Sequence, residues 1–234
     1  VEDYPVTLFL SREGYFKKIT AQSLRMSSEQ KYKDGDELNI SFESSNRREL
    51  LIVTDKQQIY KARVSDFDDC KASVLGTYLP TKLGMDDGES VVTMIDPGDY
   101  RANILFAFAN GKIARVEMSA YETKTNRRKL TGAYSDKSPL AAAMVLEEDA
   151  QIALYSSDGR AAVFSTAQLL PKTTRNTQGV AVMTLKKKAV LRDARLLEES
   201  GIANPGRYRT KTIPSAGMLL KEEDSADKQQ SFEV

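Results

Sequence analysis

The stretch Val6-Thr-Leu-Phe-Leu-Ser-Arg-Glu-Gly-Tyr-Phe-Lys-Lys18 reads as a short apolar strand, a tight turn and a second strand with a basic end. Similar stretches recur at Leu51–Lys61, Leu105–Arg115 and Ala153–Val163, and their aligned turn positions are 43, 54 and 48 residues apart. A period in this range is typical of stacked or radial units, because one hairpin cannot bury its apolar face alone. The repeat therefore favours one all-β domain of radially arranged units.

A basic residue also recurs within the hairpins. The turn position is glycine in three copies and Gln57 in the second, and the residue four places later is basic in all but the last copy. These later residues are Lys18, Lys61, Arg115 and Val163. A repeated unit that also repeats a cation suggests a shared role for the cations. We expect that role to be contact with a polyanion.

Composition narrows the class of protein. No apolar run approaches 18 residues, so we expect no membrane span. Residues 2 and 3 are acidic, so we expect no signal peptide before Val1. The single cysteine, Cys70, excludes an internal disulfide framework and fits a reducing cytoplasm. These features predict a cytoplasmic protein with no membrane contact.

Composition also argues against catalysis. The chain of 234 residues contains no histidine, which removes the commonest general base and metal ligand. No Gly-rich phosphate loop and no Gly-x-Ser-x-Gly turn is present. The carboxylates lie mainly in turn-like runs such as Met85–Glu89. We therefore predict a binding module without catalytic residues, metal or cofactor of its own, and a stand-alone enzyme is the weakest alternative.

The formal net charge of +1 hides an uneven distribution. Residues 160–211 carry 11 Lys and Arg against 3 acids, an excess that suits a polyanion but also suits a solvated rim. Residues 221–234 carry two Lys and five acids and lack apolar periodicity. We expect residues 1–220 to form the β domain and residues 221–234 to be an acidic, flexible C-terminal tail.

Each hairpin is followed by a polar connector and a further strand-like segment. These segments are Glu37–Phe42, Glu89–Ile95, Leu140–Leu146 and Val180–Leu185. Together they predict four-stranded blades that leave few exposed edges. We expect five blades, with Arg207–Ile213 beside Val180–Leu185 in a composite closing blade, and helical turns at Arg192–Glu199. A pair of β-sandwiches is the alternative architecture.

With these motifs the chain resembles a known family. The opening Glu2–Lys18 places a Thr, a Gly and a Lys pair as in the first-blade signature of the C-terminal β-pinwheel domain of bacterial type IIA topoisomerase A subunits. The sequence patterns of that family are also matched by Val53-Thr54, Tyr60-Lys61 and Gly179-Val180. The likeness extends over about residues 1–190. The group comprises the A subunits of DNA gyrase and of topoisomerase IV.

The resemblance implies a blade-swapped pinwheel that bends double-stranded DNA around a basic rim. It implies that the catalytic tyrosine lies in an N-terminal portion of the A subunit, outside this chain. The expected partners are that portion and an ATPase B-type subunit. Through other domains, the whole enzyme would use ATP and Mg. We expect the isolated domain to be monomeric and the enzyme to be bacterial, cytoplasmic and nucleoid-associated.

One departure separates the two branches of the family. Gyrase carries a Gln-Arg-Arg-Gly-Gly-Lys-Gly box after its first hairpin, needed for positive wrapping and negative supercoiling. Here the place holds Gln30-Lys-Tyr-Lys-Asp-Gly-Asp36, which inserts two acids. The resemblance therefore favours topoisomerase IV, and a gyrase domain with a degenerate box stays the alternative.

The candidate DNA-binding residues are cations of the hairpins, the connectors and the basic 160–211 region. They are Lys17, Lys18, Lys31, Lys33, Lys61, Arg63, Lys112, Arg115, Lys124, Arg127, Arg128, Lys129, Lys172, Arg175, Lys186, Lys187 and Lys188. The connector Thr123–Lys129, with four cations and no acid, is the first candidate for phosphate contact. The alternative from another class is a protein-interaction propeller, which the near-neutral net charge would suit.

Overall fold

The computed structural model describes residues 1–125 and 127–225, and within them the chain consists mainly of strands and turns. The strands are β1 (Pro5–Ser11), β2 (Tyr15–Thr20), β3 (Leu38–Ser45), β4 (Glu49–Thr54), β5 (Ile59–Arg63), β6 (Thr77–Tyr78), β7 (Val91–Ile95), β8 (Asn103–Phe108), β9 (Lys112–Glu117), β10 (Lys129–Leu130), β11 (Leu140–Leu146), β12 (Gln151–Ser156), β13 (Arg160–Ser165), β14 (Val180–Ala181), β15 (Leu191–Leu196) and β16 (Met218–Leu219). The helices are α1 (Ala21–Met26) and α2 (Leu79–Lys82), and 3-10 turns lie at Val64–Asp66, Met118–Tyr121, Thr166–Gln168, Leu197–Glu199, Pro205–Arg207 and Glu222–Asp224. The predicted all-β class is confirmed.

The described strands form four antiparallel sheets of four strands, which we call blades 1 to 4. Their strand orders are β3-β1-β2-β6, β10-β5-β4-β7, β11-β8-β9-β14 and β15-β12-β13-β16. In each blade the hairpin forms the centre, and a longer strand from the chain after the same hairpin (β3, β7, β11 or β15) lies on one side. On the other side lies an outer strand of two residues, which in blades 1 to 3 comes from the chain after the next hairpin. The blades are therefore linked by exchanged strands.

Contacts divide the chain into two compact units. Unit 1 contains Val1–Tyr100 and Tyr121–Ala133, and unit 2 contains Arg101–Ala120 and the chain from Tyr134 onward. Blades 1 and 2 lie in unit 1, and blades 3 and 4 lie in unit 2. Residues 121–133 return to unit 1 because they carry β10, which pairs with β5 of blade 2.

Each unit has its own apolar core, built from the inward faces of its strands. In unit 1, Leu8, Leu10 and Phe16 of blade 1 pack with Leu50 and Ile52 of blade 2. The core of unit 2 has a similar composition. It contains Leu105, Ile113, Ile152, Leu154, Phe164 and Leu191. Burial of these side chains stabilises each unit, at about 1.5–3 kcal/mol for each large aliphatic or aromatic group.

The aligned turn position has a positive φ in all four hairpins. The φ angles are 102° at Gly14, 85° at Gly111 and 82° at Gly159. Gln57 adopts 55° at the same place, a left-handed conformation that is uncommon for a residue with a side chain. The turn geometry is thus a property of the repeat, and glycine is its usual but not its obligatory occupant.

The predicted closing blade is wrong. The described residues form no fifth sheet, and Val180–Ala181 is the outer strand of blade 3. The segment Arg207–Ile213 lies along blade 4, where Arg209 forms an isolated bridge with Val163, and Ser215, just beyond the segment, forms a bridge with Met183. Closure by a composite blade is not needed to cover blade 4, because this C-terminal segment covers its hairpin.

The helical turns predicted at Arg192–Glu199 are wrong for most of that range. Leu191–Leu196 is β15, a strand of blade 4, and only Leu197–Glu199 forms a 3-10 turn. Charged residues at Arg192, Asp193 and Arg195 obscured the strand in the sequence. Pairing with β12 decides the conformation, because a short segment follows its tertiary partners rather than its own propensity.

The boundary predicted at residue 221 also shifts. Asp224 is 1% exposed and accepts hydrogen bonds from the Tyr208 hydroxyl at 2.5 Å and the Asn204 backbone amide at 2.9 Å. Residues 221–225 therefore fold onto unit 2. The rest of the predicted tail, residues 226–234, lies outside the described residues.

Candidate nucleic-acid interface

The first recurrent cation, Lys18, points into the protein. Its side chain is 3% exposed, and its ammonium donates to Asn46 Oδ1 at 2.8 Å and to the Val64 carbonyl at 3.3 Å. Asp69 Oδ1 lies 3.4 Å away. Val64 and Asp69 belong to the chain that follows the second hairpin, so Lys18 ties the first hairpin to the next repeat.

Arg115 makes the equivalent connection in unit 2. Its Nε donates to Asn103 Oδ1 at 2.6 Å, and one terminal nitrogen donates to Asp149 Oδ1 at 2.8 Å. The same nitrogen reaches the carbonyls of Thr166 at 2.9 Å and Leu169 at 3.1 Å. These carbonyls follow the fourth hairpin, so Arg115 ties the third hairpin to the fourth repeat.

Lys61 repeats the arrangement with fewer bonds. Its ammonium donates to Thr123 Oγ1 at 3.0 Å and lies 5.3 Å from the centre of the Tyr100 ring. Thr123 follows the third hairpin. Burial lowers the pKa of Lys61, and the carboxylates of Glu49 and Glu122 partly oppose that shift.

The shared role of the recurrent cations is therefore a clasp. Each clasp is a cation four places after the turn that binds the chain following the next hairpin. Among the described residues no hairpin follows the fourth copy, and Val163 there bonds through its backbone to Tyr208 and Thr210. For Lys18 and Arg115 the structure favours this structural role over the predicted phosphate contact, since their donors already have acceptors inside the protein.

Lys17 is also directed inward. Its side chain is 3% exposed, and its ammonium donates to Gln30 Oε1 at 3.1 Å and to the carbonyls of Lys31 and Ala72, both at 2.9 Å. Burial lowers the pKa of Lys17. Lys17 therefore anchors the segment that stands in place of the gyrase box, and it is not available to DNA in this conformation.

The anchored segment exposes two of the predicted cations, Lys31 and Lys33. Its acids differ in role: Asp34 is exposed, whereas Asp36 Oδ1 accepts from the backbone amides of Glu13 at 3.0 Å and Glu37 at 2.8 Å. Asp36 thus shapes the loop. The segment presents cations and an exposed acid together, as the sequence indicated.

Blade 2 and its connector form an open groove of about 350 Å³ within unit 1. The groove brings together predicted cations from different parts of the chain. These cations are Lys61, Arg63, Arg127 and Arg128. The three arginines are exposed and have no ion-pair partner among the described residues. We call this site the connector groove.

Sequence reasoning missed the other walls of the connector groove. Glu49, Asp66, Tyr100 and Glu122 also line it. The Tyr100 hydroxyl donates to Glu49 Oε2 at 2.6 Å, which holds the ring under the Lys61 ammonium. The turn Asp96-Pro-Gly-Asp-Tyr100 marks a bend, but no sequence signal places its tyrosine beside a lysine of the preceding hairpin.

The remaining candidates are distributed over both units. Lys129 pairs with Asp86 at 3.3 Å and lies over the Tyr60 ring, whereas Lys124 is exposed. The candidates of unit 2 other than Arg115 are exposed or half-buried. They are Lys112, Lys172, Arg175, Lys186, Lys187 and Lys188.

The described residues contain neither a membrane-spanning helix nor a metal-binding cluster. The longest helix, α1, has six residues, and no helix in this part of the chain could cross a membrane. Across the same residues no group of three acidic or sulfur ligands is arranged to hold a metal ion. Cys70 is half-buried, and burial raises the pKa of its thiol.

Comparison with known proteins shows which family model and which relatives this chain is similar to. The family model for the DNA gyrase C-terminal domain, beta-propeller, matches residues 151–198. The DNA gyrase A subunit of Borreliella burgdorferi is 23% identical over 191 residues, which are 78% of this chain and 24% of that protein. The DNA topoisomerase 4 A subunit of Staphylococcus epidermidis is 28% identical over 187 residues, 77% of this chain and 23% of that protein.

A solved structure has the same fold. The C-terminal domain of DNA topoisomerase IV matches with a TM-score of 0.77 at 19% identity, covering 96% of this chain and 76% of that one. The expected resemblance is confirmed: the chain is similar in sequence to A subunits of DNA gyrase and topoisomerase IV, and it has the β-propeller-like fold of a solved topoisomerase IV C-terminal domain. It spans about a quarter of the length of the relatives named above.

Proposed function

We propose that this domain binds duplex DNA through its phosphates and bends it, as part of the A subunit of a type IIA topoisomerase. The proposal depends on one observation. Three exposed arginines, which have no ion-pair partner within the described residues, lie together at the connector groove. Guanidinium groups bind phosphate oxygens in bidentate geometry. Contacts of this kind position DNA without reading its sequence.

Bending requires cations at more than one place. A smooth bend of a site of about 20–30 base pairs costs on the order of 1–6 kcal/mol, which distributed phosphate contacts must offset. Unit 1 offers the connector groove and Lys31 with Lys33, and unit 2 offers the run Lys186–Lys188. Both units therefore supply exposed cations for the proposed path of the DNA.

Fluorescence anisotropy over a salt series tests the proposal. Two unrelated duplexes of about 30 base pairs should bind with similar affinity, and the logarithm of the binding constant should fall linearly with the logarithm of salt, by about 0.9 per phosphate contact. An absence of binding at low salt would contradict the proposal and favour the protein-interaction propeller.

We further propose that the domain is of the topoisomerase IV type. The segment Gln30–Asp36 supports this choice, because Asp34 places an exposed carboxylate where the gyrase box would place cations. Attraction to phosphate should be weaker there, so the domain should bend DNA without strong positive wrapping. Plasmid relaxed and religated in its presence should show only a small change in linking number. A large positive change would instead assign the domain to gyrase, whose A subunit is also among the relatives.

The activity of the whole protein follows from these proposals. The rest of the A subunit would carry the catalytic tyrosine, and a B-type subunit would supply ATP hydrolysis with Mg. This domain would then guide DNA segments for strand passage. Decatenation by the reconstituted enzyme should fall when the domain is removed, while DNA cleavage by the rest of the A subunit should persist.

A further inference from the structure

The cation at the floor of the connector groove is Lys61, and its ammonium has N–H donors that are not all used within the described residues. The Lys61 ammonium makes one hydrogen bond, to Thr123, within the described residues, and otherwise faces the Tyr100 ring. The other two clasp cations are engaged with three or more oxygen atoms each. Of the three clasps, the one in blade 2 therefore has capacity for a further anionic acceptor.

The charges along the walls favour an anion despite three carboxylates. Glu49 accepts from the Tyr100 hydroxyl at 2.6 Å, and Asp66 accepts from the Arg63 backbone amide at 2.9 Å. Glu122 is exposed and is the acid with which a bound anion would compete most directly. Against these stand the lysine at the floor and three arginines at the rim.

The size and lining of the groove define the class of ligand. Its volume of about 350 Å³ lies at the small end of the range for small-molecule sites. Such sites are usually mostly apolar, whereas charged and hydroxyl side chains dominate this one. The lining therefore suits a compact, strongly charged anion with several oxygen acceptors, and phosphate has these properties.

We propose that the connector groove is a discrete phosphate site, with Lys61 at its floor and Arg63, Arg127 and Arg128 at its rim. The phosphate comes either from the DNA backbone, in which case the inference rests on the proposed function, or from a free pyrophosphate-like anion. Glu122 weakens the site by repulsion. The groove is thus the place where one phosphate is held most tightly in unit 1.

Calorimetric titration with pyrophosphate at constant ionic strength tests the site. The double variant R127A/R128A should bind pyrophosphate at least about tenfold more weakly, since it loses two charged donors. The matched control R47A/K71A removes two exposed cations that do not line the groove and should stay within about twofold of the original affinity. Equal affinities in both variants would overturn the proposal and show an adventitious ion only.

A variant that gains affinity distinguishes an effect on binding from an effect on folding. The variant E122Q removes the competing carboxylate and should bind pyrophosphate several-fold more tightly, an effect that a damaged fold would not produce. Backbone amide NMR shifts on titration should concentrate at Lys61, Tyr100 and Thr123. Shifts scattered over the exposed lysines, or an unchanged affinity in E122Q, would contradict the site.

Duplex DNA distinguishes the two sources of phosphate. If R127A/R128A weakens both pyrophosphate and a short duplex, and pyrophosphate competes with the duplex, the groove holds the DNA backbone. If only pyrophosphate binding is lost, the site serves a free anion. A chain that binds pyrophosphate in the groove but no duplex would refute the proposed DNA function and leave the phosphate site standing.

Discussion

Arg115 and Arg127 carry the same guanidinium group, but the two groups lie in different surroundings. Arg115 is largely buried, with two carbonyls, an amide and a carboxylate around its guanidinium, whereas Arg127 is exposed. Removing a charged donor leaves buried acceptors without a partner, which costs more than loss of a surface charge. At the scale of one residue, the neighbours decide whether a cation stabilises the fold or remains available to a ligand.

Replacement of Arg115 should therefore affect stability more than DNA binding. For R115A we expect the free energy of unfolding to fall by about 2–3 kcal/mol, because the carbonyls of Thr166 and Leu169 lose their donor. Denaturant unfolding measures this change. R192A, at an exposed arginine of β15, should change stability by less than about 0.5 kcal/mol. Normal stability with weakened DNA binding in R115A would show that Arg115 contacts DNA after all.

Glu89 is a buried carboxylate that the sequence placed in a solvated turn. It is 6% exposed and accepts from Gln58 Nε2 at 2.7 Å, the Tyr60 hydroxyl at 2.7 Å and the Asp86 amide at 3.0 Å. The Thr54 hydroxyl donates to it as well. Burial alone would raise the pKa of Glu89, but these hydrogen bonds outweigh burial and lower it.

This lowered pKa makes stability depend on pH. The folded state holds the charged form of Glu89, so its contribution is complete above the ordinary glutamate pKa of about 4.3 and is lost as pH falls through the lowered folded-state value. E89Q should be less stable at neutral pH and should show a flatter loss of stability below about pH 4.3. Thermal unfolding between acid and neutral pH measures both. D87N controls for net charge in the same loop, and parallel acid slopes for E89Q and the unaltered protein would contradict the prediction.

At the scale of an element, the pairing of the outer strands depends on close approach between their backbone and that of the neighbouring strand. A glycine directly precedes the outer strand in blades 1, 3 and 4, at Gly76, Gly179 and Gly217. A Cβ added at Gly179 would lie 2.5 Å from the Ile113 carbonyl oxygen, closer than any packing permits. A strand of two residues has few bonds of its own, so this contact with β9 fixes where it pairs.

Two glycines with nearly equal φ allow the cost of a left-handed backbone to be measured apart from the cost of steric crowding. Gly179 has φ of 84° and faces backbone, whereas Gly159 has φ of 82° and open space around its Cα. We expect G159A to cost about 1 kcal/mol from its left-handed backbone alone. G179A should cost about 1–3 kcal/mol more, because β14 must move away from β9. Denaturant unfolding of both variants measures the difference, and equal losses would mean that crowding at β14 is relieved elsewhere.

The fourth blade is covered by the chain that follows its hairpin, without a clasp cation. Val163 lacks a clasp, and two later parts of the chain, Tyr208–Thr210 and Met218–Leu219, pair with β13, while the buried Asp224 accepts a hydrogen bond from Tyr208. Hydrogen bonds from Tyr208 and from Asn204 lower the pKa of Asp224 against the effect of its burial. Such covering keeps the apolar face of a repeat away from solvent.

On the scale of the whole molecule, the charge of +1 is close to neutral, yet exposed cations occur in both units. If duplex DNA binds to both units, the effects of removing cations from the two should add. R127A/R128A and K186A/K187A/K188A should each flatten the log–log salt slope by about 0.9 for every phosphate that no longer has a cationic partner, and the combined variant should show the sum. Anisotropy titrations of two unrelated duplexes measure the slopes, with R47A/K71A as the control. An unchanged slope in the triple lysine variant would confine the interface to unit 1.

Much of the architecture was predictable because it depends on short-range information. Turn chemistry at Gly14, Gly111 and Gly159, the apolar strands beside those turns and their regular spacing predict hairpins, four-stranded blades and the all-β class. The same residues carry the family resemblance, which the comparisons confirm. In the candidate site, the exposed connector arginines were identified from charge density alone.

Tertiary structure alone decided how the repeats are joined and which cations remain exposed. Leu191–Leu196 is a strand, and the outer strands of blades 1 to 3 are exchanged, because each pairs with a segment tens of residues away. The clasp cations lie at strand positions whose sequence looks like that of a basic rim. Burial of a lysine depends on whether a distant carbonyl such as that of Val64 comes within hydrogen-bonding distance, and no local pattern encodes that contact. Local chemistry therefore specified the blades, while long-range packing divided the cations between structure and surface.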